Sequence, residues 1–434
     1  MADSEVPVNS ETDLPTRPES TVRQPCRDDY DFVVIGAGVA GSLAAYLAAR
    51  QGMRVLLVER QRFPRAKVCG CCLNSRAQQL LQQAGLADGL QALSPVPTSA
   101  LRLQYRGRSL SLPMPGGLVV SRSRLDAWLV TEAVQAGAEF LDETTGKVLP
   151  LPDAGRKSDS ETAESESESE TDCALRHVTL NSGTAHSAAV REHVVSARVV
   201  LACDGLAMSS LSLLPEFHSE VSAGARIGLG ATFPGTPQDS QQQPNEILMA
   251  VASQGYCGMV LTEDQQWNLA AAVDSRSLQR CGSPLNCLRD IFHSAGVVPP
   301  QGLDTAVVRG TIPLTRRTSS YAGTRLLLLG DTTGYVEPFT GEGMAWAITA
   351  ATIAVPLAMR TLSLGWSRDA EHEYSRRIQR CVMREQGVCR ALSSILSHPL
   401  LLRLTFAGAS LLPAVTRTLI TRVNRLPRQL EPIE

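Results

Sequence analysis

The sequence has almost no excess charge of either sign. Its 41 lysine and arginine residues face 43 aspartate and glutamate residues, which gives a net charge of −2. Proteins that bind nucleic acids gain affinity from basic side chains placed against phosphates, so this balance argues against such a partner. The chain also lacks an apolar run of about 18 residues, and its polar, acidic N-terminus has no signal-like apolar stretch. We therefore expect a cytoplasmic protein without a transmembrane helix.

Metal-binding patterns are also missing. Eleven cysteines are scattered along the chain, and only Cys69, Cys71 and Cys72 form a cluster. A structural zinc site needs cysteine or histidine pairs at two places, so we expect no metal. A Cys69–Cys71 disulfide that exchanges electrons with a cofactor is a second interpretation, and the wall of a substrate pocket is a third. The motifs that surround the cluster favour the pocket wall.

The first chemical motif is a glycine turn, Gly36-x-Gly38-x-x-Gly41, between a β-branched strand and an alanine-rich helix. Gly36 permits the tight turn, Gly38 lets a pyrophosphate approach the backbone, and Gly41 lets helix and strand pack closely. Glu59 ends the next strand, where an acid binds a ribose hydroxyl. The pattern predicts a dinucleotide site. The positions assigned to it are Gly36, Gly38, Val39, Ala40, Gly41, Glu59 and Arg60.

A second glycine-rich segment, "LLLLGDTTGYVEPFTGEGM", lies near residue 330. An apolar strand delivers Asp331 into a turn, where its carboxylate would accept a hydrogen bond from the ribityl chain of FAD. A helix that begins near Glu342 would aim its positive end at the flavin ring and stabilise negative charge there. A dehydrogenase that uses only NAD needs none of this, so the segment predicts FAD. The positions assigned to it are Gly330, Asp331, Pro338, Gly341, Gly343 and Met344.

With these motifs the chain resembles flavoproteins of the p-hydroxybenzoate hydroxylase fold. Among them it is most similar to the geranylgeranyl reductase family and its monooxygenase and halogenase relatives. The resemblance implies that Arg122, four residues before Asp126, lies along the FAD, and that Asp204 and Gly205 form an Asp-Gly motif. Met208 stands where hydroxylases usually have serine, which weighs against NADPH recognition through this segment. The chain lacks the Trp-x-Trp-x-Ile-Pro motif of halogenases.

The same resemblance gives a role to the cysteine cluster. In geranylgeranyl reductases a proline, an aromatic residue and Cys-Gly-Gly line the active site beside the flavin. Pro64, Cys69 and Gly70 match, which implies that Cys69 lies on the pocket wall as a proton donor or redox-sensitive thiol. Lys67 replaces the aromatic residue and Cys71 the second glycine. Lys67 either stabilises negative charge near the flavin or is exposed to solvent.

The predicted fold class is α/β, with a Rossmann-like FAD-binding domain interleaved with an antiparallel-sheet substrate domain and followed by C-terminal helices. In the stretch 400–425, apolar runs alternate with arginines. It is either a helix packed on the flavin domain or an amphipathic helix in peripheral contact with a membrane. The assigned ranges are a disordered tail at 1–28, the FAD-binding domain at 29–95, 120–224 and 315–365 with a disordered acidic insert at 153–172, the substrate domain at 96–119 and 225–314, and the helical region at 366–434.

The predicted activity is hydride transfer through flavin N5 to a small apolar organic substrate. NAD(P)H or another electron donor would reduce the FAD. The resemblance favours alkene reduction in a prenyl lipid. An NAD(P)H- and O2-dependent monooxygenase acting on an aromatic or polyketide-like substrate is the alternative, and a flavoprotein without turnover is a third interpretation.

Overall fold

The structure is a computed structural model of the 434-residue chain. It describes residues 24–152, 175–182, 191–235, 245–337 and 341–397. The predicted acidic insert, Pro338, the stretch 400–425 and most of the predicted tail lie outside the described residues. Residues 24–28, which the sequence assigned to the tail, lie against the first sheet. The Cys26 N–H donates to Glu139 Oε2 at 3.0 Å, and the Ser196 N–H donates to the Asp28 carbonyl at 2.7 Å.

The described residues form strands and helices in the following order. The strands are β1 Asp29–Ile35, β2 Val55–Val58, β3 Cys72–Leu73, β4 Val96–Tyr105, β5 Arg108–Val119, β6 Glu139–Leu141, β7 Thr144–Val148, β8 Arg176–Ser182, β9 Arg191–Ala202, β10 Ser219–Val221, β11 Ile227–Pro234, β12 Glu246–Ala252, β13 Gly255–Leu261, β14 Gln266–Val273, β15 Arg309–Pro313, β16 Arg316–Thr318, β17 Ala322–Gly323, β18 Leu326–Leu328 and β19 Gly334–Tyr335. The helices are α1 Val39–Ala49, α2 Ser75–Gln83, α3 Ala87–Ala92, α4 Arg122–Gln135, α5 Ser275–Cys281, α6 Pro284–Ala295, α7 Glu342–Leu364, α8 Arg368–Ile378 and α9 Arg384–Ser397.

The first sheet has parallel strands at its centre. Its order is β17-β18-β9-β1-β2-β6, and β8 pairs with both β7 and β9. β1 is parallel to β2 and to β9, and β18 is parallel to β9. Parallel strands are buried on both faces, which explains why the second half of β1, from Phe32 to Ile35, and all of β18 are apolar. Because these strands run the same way, their carboxyl ends bring the glycine turn, the Asp-Gly motif and the second glycine segment to one edge.

The second sheet supplies the wall that faces this edge. Its order is β15-β11-β14-β13-β12-β4-β5-β3, antiparallel except that β12 and β4 are parallel. The segment from 246 to 261 folds into the antiparallel pair β12 and β13, because the chain turns at Ser253 and Gln254. Two helices, α5 and α6, were not predicted. For α6 the signals were present: Ser283 caps the N-terminus, Pro284 follows, and Gly296 ends the helix with φ of +78°.

Helix α7 leads away from the site into the core. By length and composition it could cross a membrane, but 56% of its most apolar window is buried inside the protein, as expected for a core helix. It packs against α1 and α2. Helix α8 follows, and its Tyr374 hydroxyl donates to the Leu328 carbonyl of the first sheet at 2.6 Å. The predicted fold class is confirmed.

Candidate functional site

The glycine turn brings the start of α1 against the end of β9. A side-chain carbon on Gly36, where φ is +105°, would lie 2.4 Å from the Cys203 carbonyl oxygen. A side-chain carbon on Gly41 would lie 1.9 Å from the Gly36 carbonyl oxygen. Neither position therefore accepts any residue but glycine. Val39 and Ala40, at the first turn of α1, line a cavity that begins here.

Three cationic side chains converge on Gly38. Measured from the position of a side-chain carbon built there, Arg65 Nη2 lies at 3.6 Å, Arg122 Nη2 at 3.8 Å and Lys67 Nζ at 4.0 Å. The backbone N–H groups and the positive end of α1 face the same point. Three like charges so close together repel one another, and an anion between them removes that cost. The arrangement fits the pyrophosphate of a dinucleotide.

Buried carboxylates hold two of these cations. Asp126 is fully buried and accepts from Arg122 Nε and Nη2 at 2.9 and 2.8 Å, and from Arg65 Nη1 at 3.1 Å. Burial alone would raise the pKa of Asp126, but Arg122 and Arg65 outweigh it and keep that pKa below its usual value. Glu59 Oε2 lies 3.2 Å from Arg65 Nε and accepts from the Ala37 N–H at 3.1 Å. Arg60, assigned to the same site, is exposed.

Two serines form hydrogen bonds with the aspartate of the Asp-Gly motif. Asp204 accepts from the Ser209 hydroxyl at 3.0 Å and from the Ser210 N–H and hydroxyl at 2.8 and 2.9 Å. Met208 lies in the left-handed region with φ of 48°, and this brings Ser209 back to Asp204. Burial raises the pKa of Asp204, and these hydrogen bonds oppose that rise. Gly205, the next residue, lines the cavity.

The second glycine segment lies beside the first. A side-chain carbon on Gly330, where φ is +62°, would lie 3.1 Å from Ala40 Cβ of the first turn of α1. Asp331 follows in a turn of 3-10 helix, and its Oδ2 lies 3.3 Å from Lys67 Nζ. The Lys67 side chain is 37% exposed. Lys67 is thus partly exposed and paired with the aspartate assigned to the ribityl chain, and its stabilisation of negative charge near the flavin stays a prediction.

Helix α7 begins at the cavity. Gly341 precedes it with φ of +81°, and a side-chain carbon there would lie 2.8 Å from Cys72 Cβ. Glycine is needed for this close approach. Gly341, Gly343 and Met344 all line the cavity, so the backbone at the positive end of α7 is open to a ligand.

The cysteine cluster divides between cavity and core. Cys69 and Cys72 line the cavity, whereas Cys71 is buried with φ of 58°. Arg122 lines the same cavity and lies near the Cys69 side chain. Burial, followed by the neighbouring Cys69, raises the pKa of Cys72 to about 12. All cysteines in the described ranges are free thiols, and no group of three potential metal ligands occurs in those ranges.

The cavity joins these elements to the second sheet. Its empty volume is about 1290 Å³, part of which is open to solvent. One end is formed by the glycine segments and Asp331, and the other by the second sheet and the residues beside it. Glycine and alanine residues on β13 and β14 leave the space open, and larger apolar side chains surround it. These apolar residues are Leu101, Ile247, Met249, Met259, Val260 and Leu314.

A polar cluster that the sequence analysis missed lies on this apolar wall. Glu337 Oε2 accepts from Arg226 Nη1 at 2.9 Å and from the Tyr256 hydroxyl at 3.3 Å. The Thr315 hydroxyl donates to Glu337 Oε1 at 3.5 Å. Tyr335 also lines the cavity. Glu337 stands inside the second glycine segment, and its acidic side chain in an otherwise apolar run was the one available signal. Arg65 was missed too, although it lies between Glu59 and Lys67 in the chain.

The comparisons with known proteins agree with this geometry. A family model described as an FAD binding domain matches residues 29–212. The cations at Gly38, the acid at Glu59 and the open start of α7 fit the pyrophosphate, ribose and ring of that cofactor. The chain is an FAD-dependent oxidoreductase, which confirms the predictions of an enzyme and of FAD.

Its relatives include reductases and other flavoenzymes. Menaquinone reductase of Mycolicibacterium smegmatis is 25% identical over 411 residues, which cover 91% of this chain and 90% of that protein. A flavoprotein/dehydrogenase from Cytophaga hutchinsonii has a TM-score of 0.71 at 16% identity and covers 91% of this chain and 92% of its own. Flavin-dependent brominase Bmp2 has a TM-score of 0.69 at 16% identity, with 92% and 94% covered. The two structures share the fold.

Proposed function

We propose that the protein reduces a carbon–carbon double bond in a small apolar substrate of the prenyl-lipid type. The observation that carries this proposal is the cavity. It runs without interruption from Asp331 and Gly341, assigned to the flavin, to an apolar wall formed by side chains such as Leu101 and Met249. A ligand on that wall would be removed from water while it lies next to the cofactor. The match to menaquinone reductase supports the same class, because menaquinone carries an apolar prenyl chain.

The chain's own residues would divide the work as follows. Arg65 and Arg122 would hold the pyrophosphate at Gly38, and Asp331 the ribityl chain. The open start of α7 would stabilise negative charge on the ring. When bound and reduced by the electron donor, FAD would supply the hydride. The second carbon of the double bond then needs a proton, and Cys69, which lies on the cavity wall, would donate it.

The electron donor and the membrane contact belong to the same proposal. NAD(P)H or another donor would reduce the FAD between turnovers, and the replacement of serine by Met208 favours a contact other than the Asp-Gly segment. A prenyl substrate would reach the cavity from a membrane. The stretch 400–425 is our candidate for peripheral contact with that membrane. The assignment to the geranylgeranyl reductase family also stays a prediction.

Product analysis tests the proposal directly. The FAD-loaded protein is reduced without oxygen and incubated with a set of prenyl lipids and prenyl quinones, followed by mass spectrometry. We expect a product heavier by two hydrogen atoms, with the added hydrogens on a prenyl unit. The Asp331→Ala variant, which we expect to lack FAD, is the control. A product that instead gains one oxygen atom when air is admitted would identify a monooxygenase and contradict the proposal.

A further inference from the structure

The ion pair on the cavity wall is nearly cut off from solvent. The exposed fractions of Glu337, Tyr256 and Arg226 are 3%, 5% and 9%. They come from three separate parts of the chain: Arg226 precedes β11, Tyr256 lies in β13, and Glu337 follows β19. The Arg226 guanidinium also stacks over the Tyr256 ring at 5.6 Å from its centre. The arrangement is therefore fixed by packing as well as by hydrogen bonds.

Burying this ion pair costs folding free energy that an apolar cluster in the same place would not cost. Removing a carboxylate and a guanidinium from water is expensive, and a well-packed apolar replacement is often as stable or more stable. The neighbouring wall shows that apolar residues fit here, since Met249, Met259 and Leu314 line the same cavity. Burial, and then the Glu337 charge, raises the pKa of the Tyr256 hydroxyl well above 10, so this hydroxyl stays protonated. A buried ionic cluster beside a cavity is a candidate for ligand recognition.

The direction of the hydrogen bonds decides what the cluster can recognise. Arg226, Tyr256 and Thr315 direct their donors at the Glu337 carboxylate. Tyr256 and Glu337 line the cavity, whereas Arg226 contacts both of them from outside its lining. The hydroxyl and carboxylate members of the cluster thus belong to the cavity lining, and its cationic member does not.

We propose that Tyr256 and Glu337, supported by Arg226, bind the polar head of the substrate and select an uncharged head that carries a hydroxyl group. This inference rests on the proposed function, since it places the apolar part of the same substrate along the apolar wall. A hydroxyl donates a hydrogen bond to these oxygens. An ether or ester head has no proton to donate. A diphosphate head brings negative charge towards a carboxylate and is disfavoured.

Binding to the oxidised protein tests this without turnover. The FAD-loaded protein is titrated by calorimetry with geraniol, geranyl methyl ether and geranyl diphosphate, which share one apolar chain and differ in the head. We expect geraniol to bind about tenfold more tightly than the other two, because a hydrogen bond to a buried charged acceptor has roughly that effect. Equal affinity for geraniol and its methyl ether, or binding by none of the three, overturns the inference.

Two variants and a matched control assign the effect to the cluster. Tyr256→Phe should reduce the preference for geraniol over the ether about threefold or more. Tyr374→Phe removes another buried, hydrogen-bonded tyrosine hydroxyl outside the cavity lining, and it should leave that preference unchanged. Glu337→Gln leaves the Arg226 charge without its carboxylate, so geranyl diphosphate should gain affinity relative to geraniol. An unchanged preference in Tyr256→Phe contradicts the inference, even if Glu337→Gln does not fold.

The outcome is separable from that of the proposed function. The oxidised protein holds no hydride, so ligand selection is measured whether or not a double bond is ever reduced. Selection of geraniol without any reduced product would reject the proposed function and leave the head-group site in place. Reduction of prenyl lipids with no preference among the three heads would reject only the head-group site.

Discussion

Replacing the buried Asp126 by asparagine should destabilise the FAD-free protein strongly. Asp126 is fully buried and accepts two hydrogen bonds from Arg122 and one from Arg65. Asparagine has nearly the same shape but no charge. The variant would therefore bury two guanidinium groups, and only Glu59 near Arg65 would remain to balance them.

The size of the effect follows from the burial of the pair. Removal of one partner from a buried ion pair costs about 3 to 5 kcal/mol of unfolding free energy. Asparagine keeps one oxygen that can accept a hydrogen bond, so we expect the lower end, about 3 kcal/mol. The pyrophosphate of FAD brings negative charge to the same guanidinium groups at Gly38. FAD should therefore restore part of the loss, and the FAD-induced rise in unfolding temperature should be larger in Asp126→Asn than in the wild type.

Thermal unfolding is measured for the apoprotein and at a series of FAD concentrations. It gives both the destabilisation of the variant and the FAD-induced rise in unfolding temperature. The matched control is Asp304→Asn, because Asp304 pairs with Arg289 on the surface and is 71% exposed. Surface pairs contribute about 0 to 1 kcal/mol, so this variant should unfold close to the wild type. The account of the cations at Gly38 is wrong if Asp126→Asn unfolds at the same temperature as Asp304→Asn. It is also wrong if FAD stabilises Asp126→Asn less than it stabilises the wild type.

Three further predictions concern the same site. Asp331→Ala should be purified largely without flavin, measured by visible absorbance, because it removes the ribityl acceptor; full occupancy would refute that role. Cys69→Ser should keep FAD but reduce the substrate about a hundredfold more slowly, since a general acid contributes at least that much; wild-type turnover would leave Cys69 a packing residue. The pKa of Asp126 in the folded protein lies below its unfolded value of about 3.9. The stability that the ionised carboxylate contributes is therefore complete above about pH 4 and is lost on acidification. The unfolding temperature of the wild type should therefore fall more steeply below about pH 4 than that of Asp126→Asn, and parallel curves would contradict the lowered pKa.

The sequence predicted the fold class because its signals are local. The glycine turn, the apolar strands on either side and the acid at Glu59 lie within about thirty residues, so one βαβ unit carries them all. The second sheet was harder to predict. β12 and β13 are both largely apolar, and the two turn residues between them, Ser253 and Gln254, are neither glycine nor proline. An apolar run of this kind does not distinguish one long strand from a hairpin.

The cluster around Glu337 could not have been predicted in the same way. Its members are 30 and 81 residues apart along the chain, from Arg226 to Tyr256 and from Tyr256 to Glu337. Each of them taken alone is an ordinary strand or loop residue. They meet because β11 and β13 both pair with β14, and because the chain returns through β19 to the same end of that sheet. Long-range pairing of this kind leaves no periodicity in the sequence.

Arg122 lies beside the glycine turn and lines the same cavity as Cys69. Its guanidinium pairs with Asp126. Burial disfavours its charge, but the Asp126 carboxylate outweighs that and the pKa of Arg122 is raised, so it is always cationic. Cys69 lines the same cavity as Arg122, so FAD held at Gly38 should cover its thiol. The Cys69 thiol should therefore be alkylated more slowly with FAD than without it, and equal rates would contradict its place on the cavity wall.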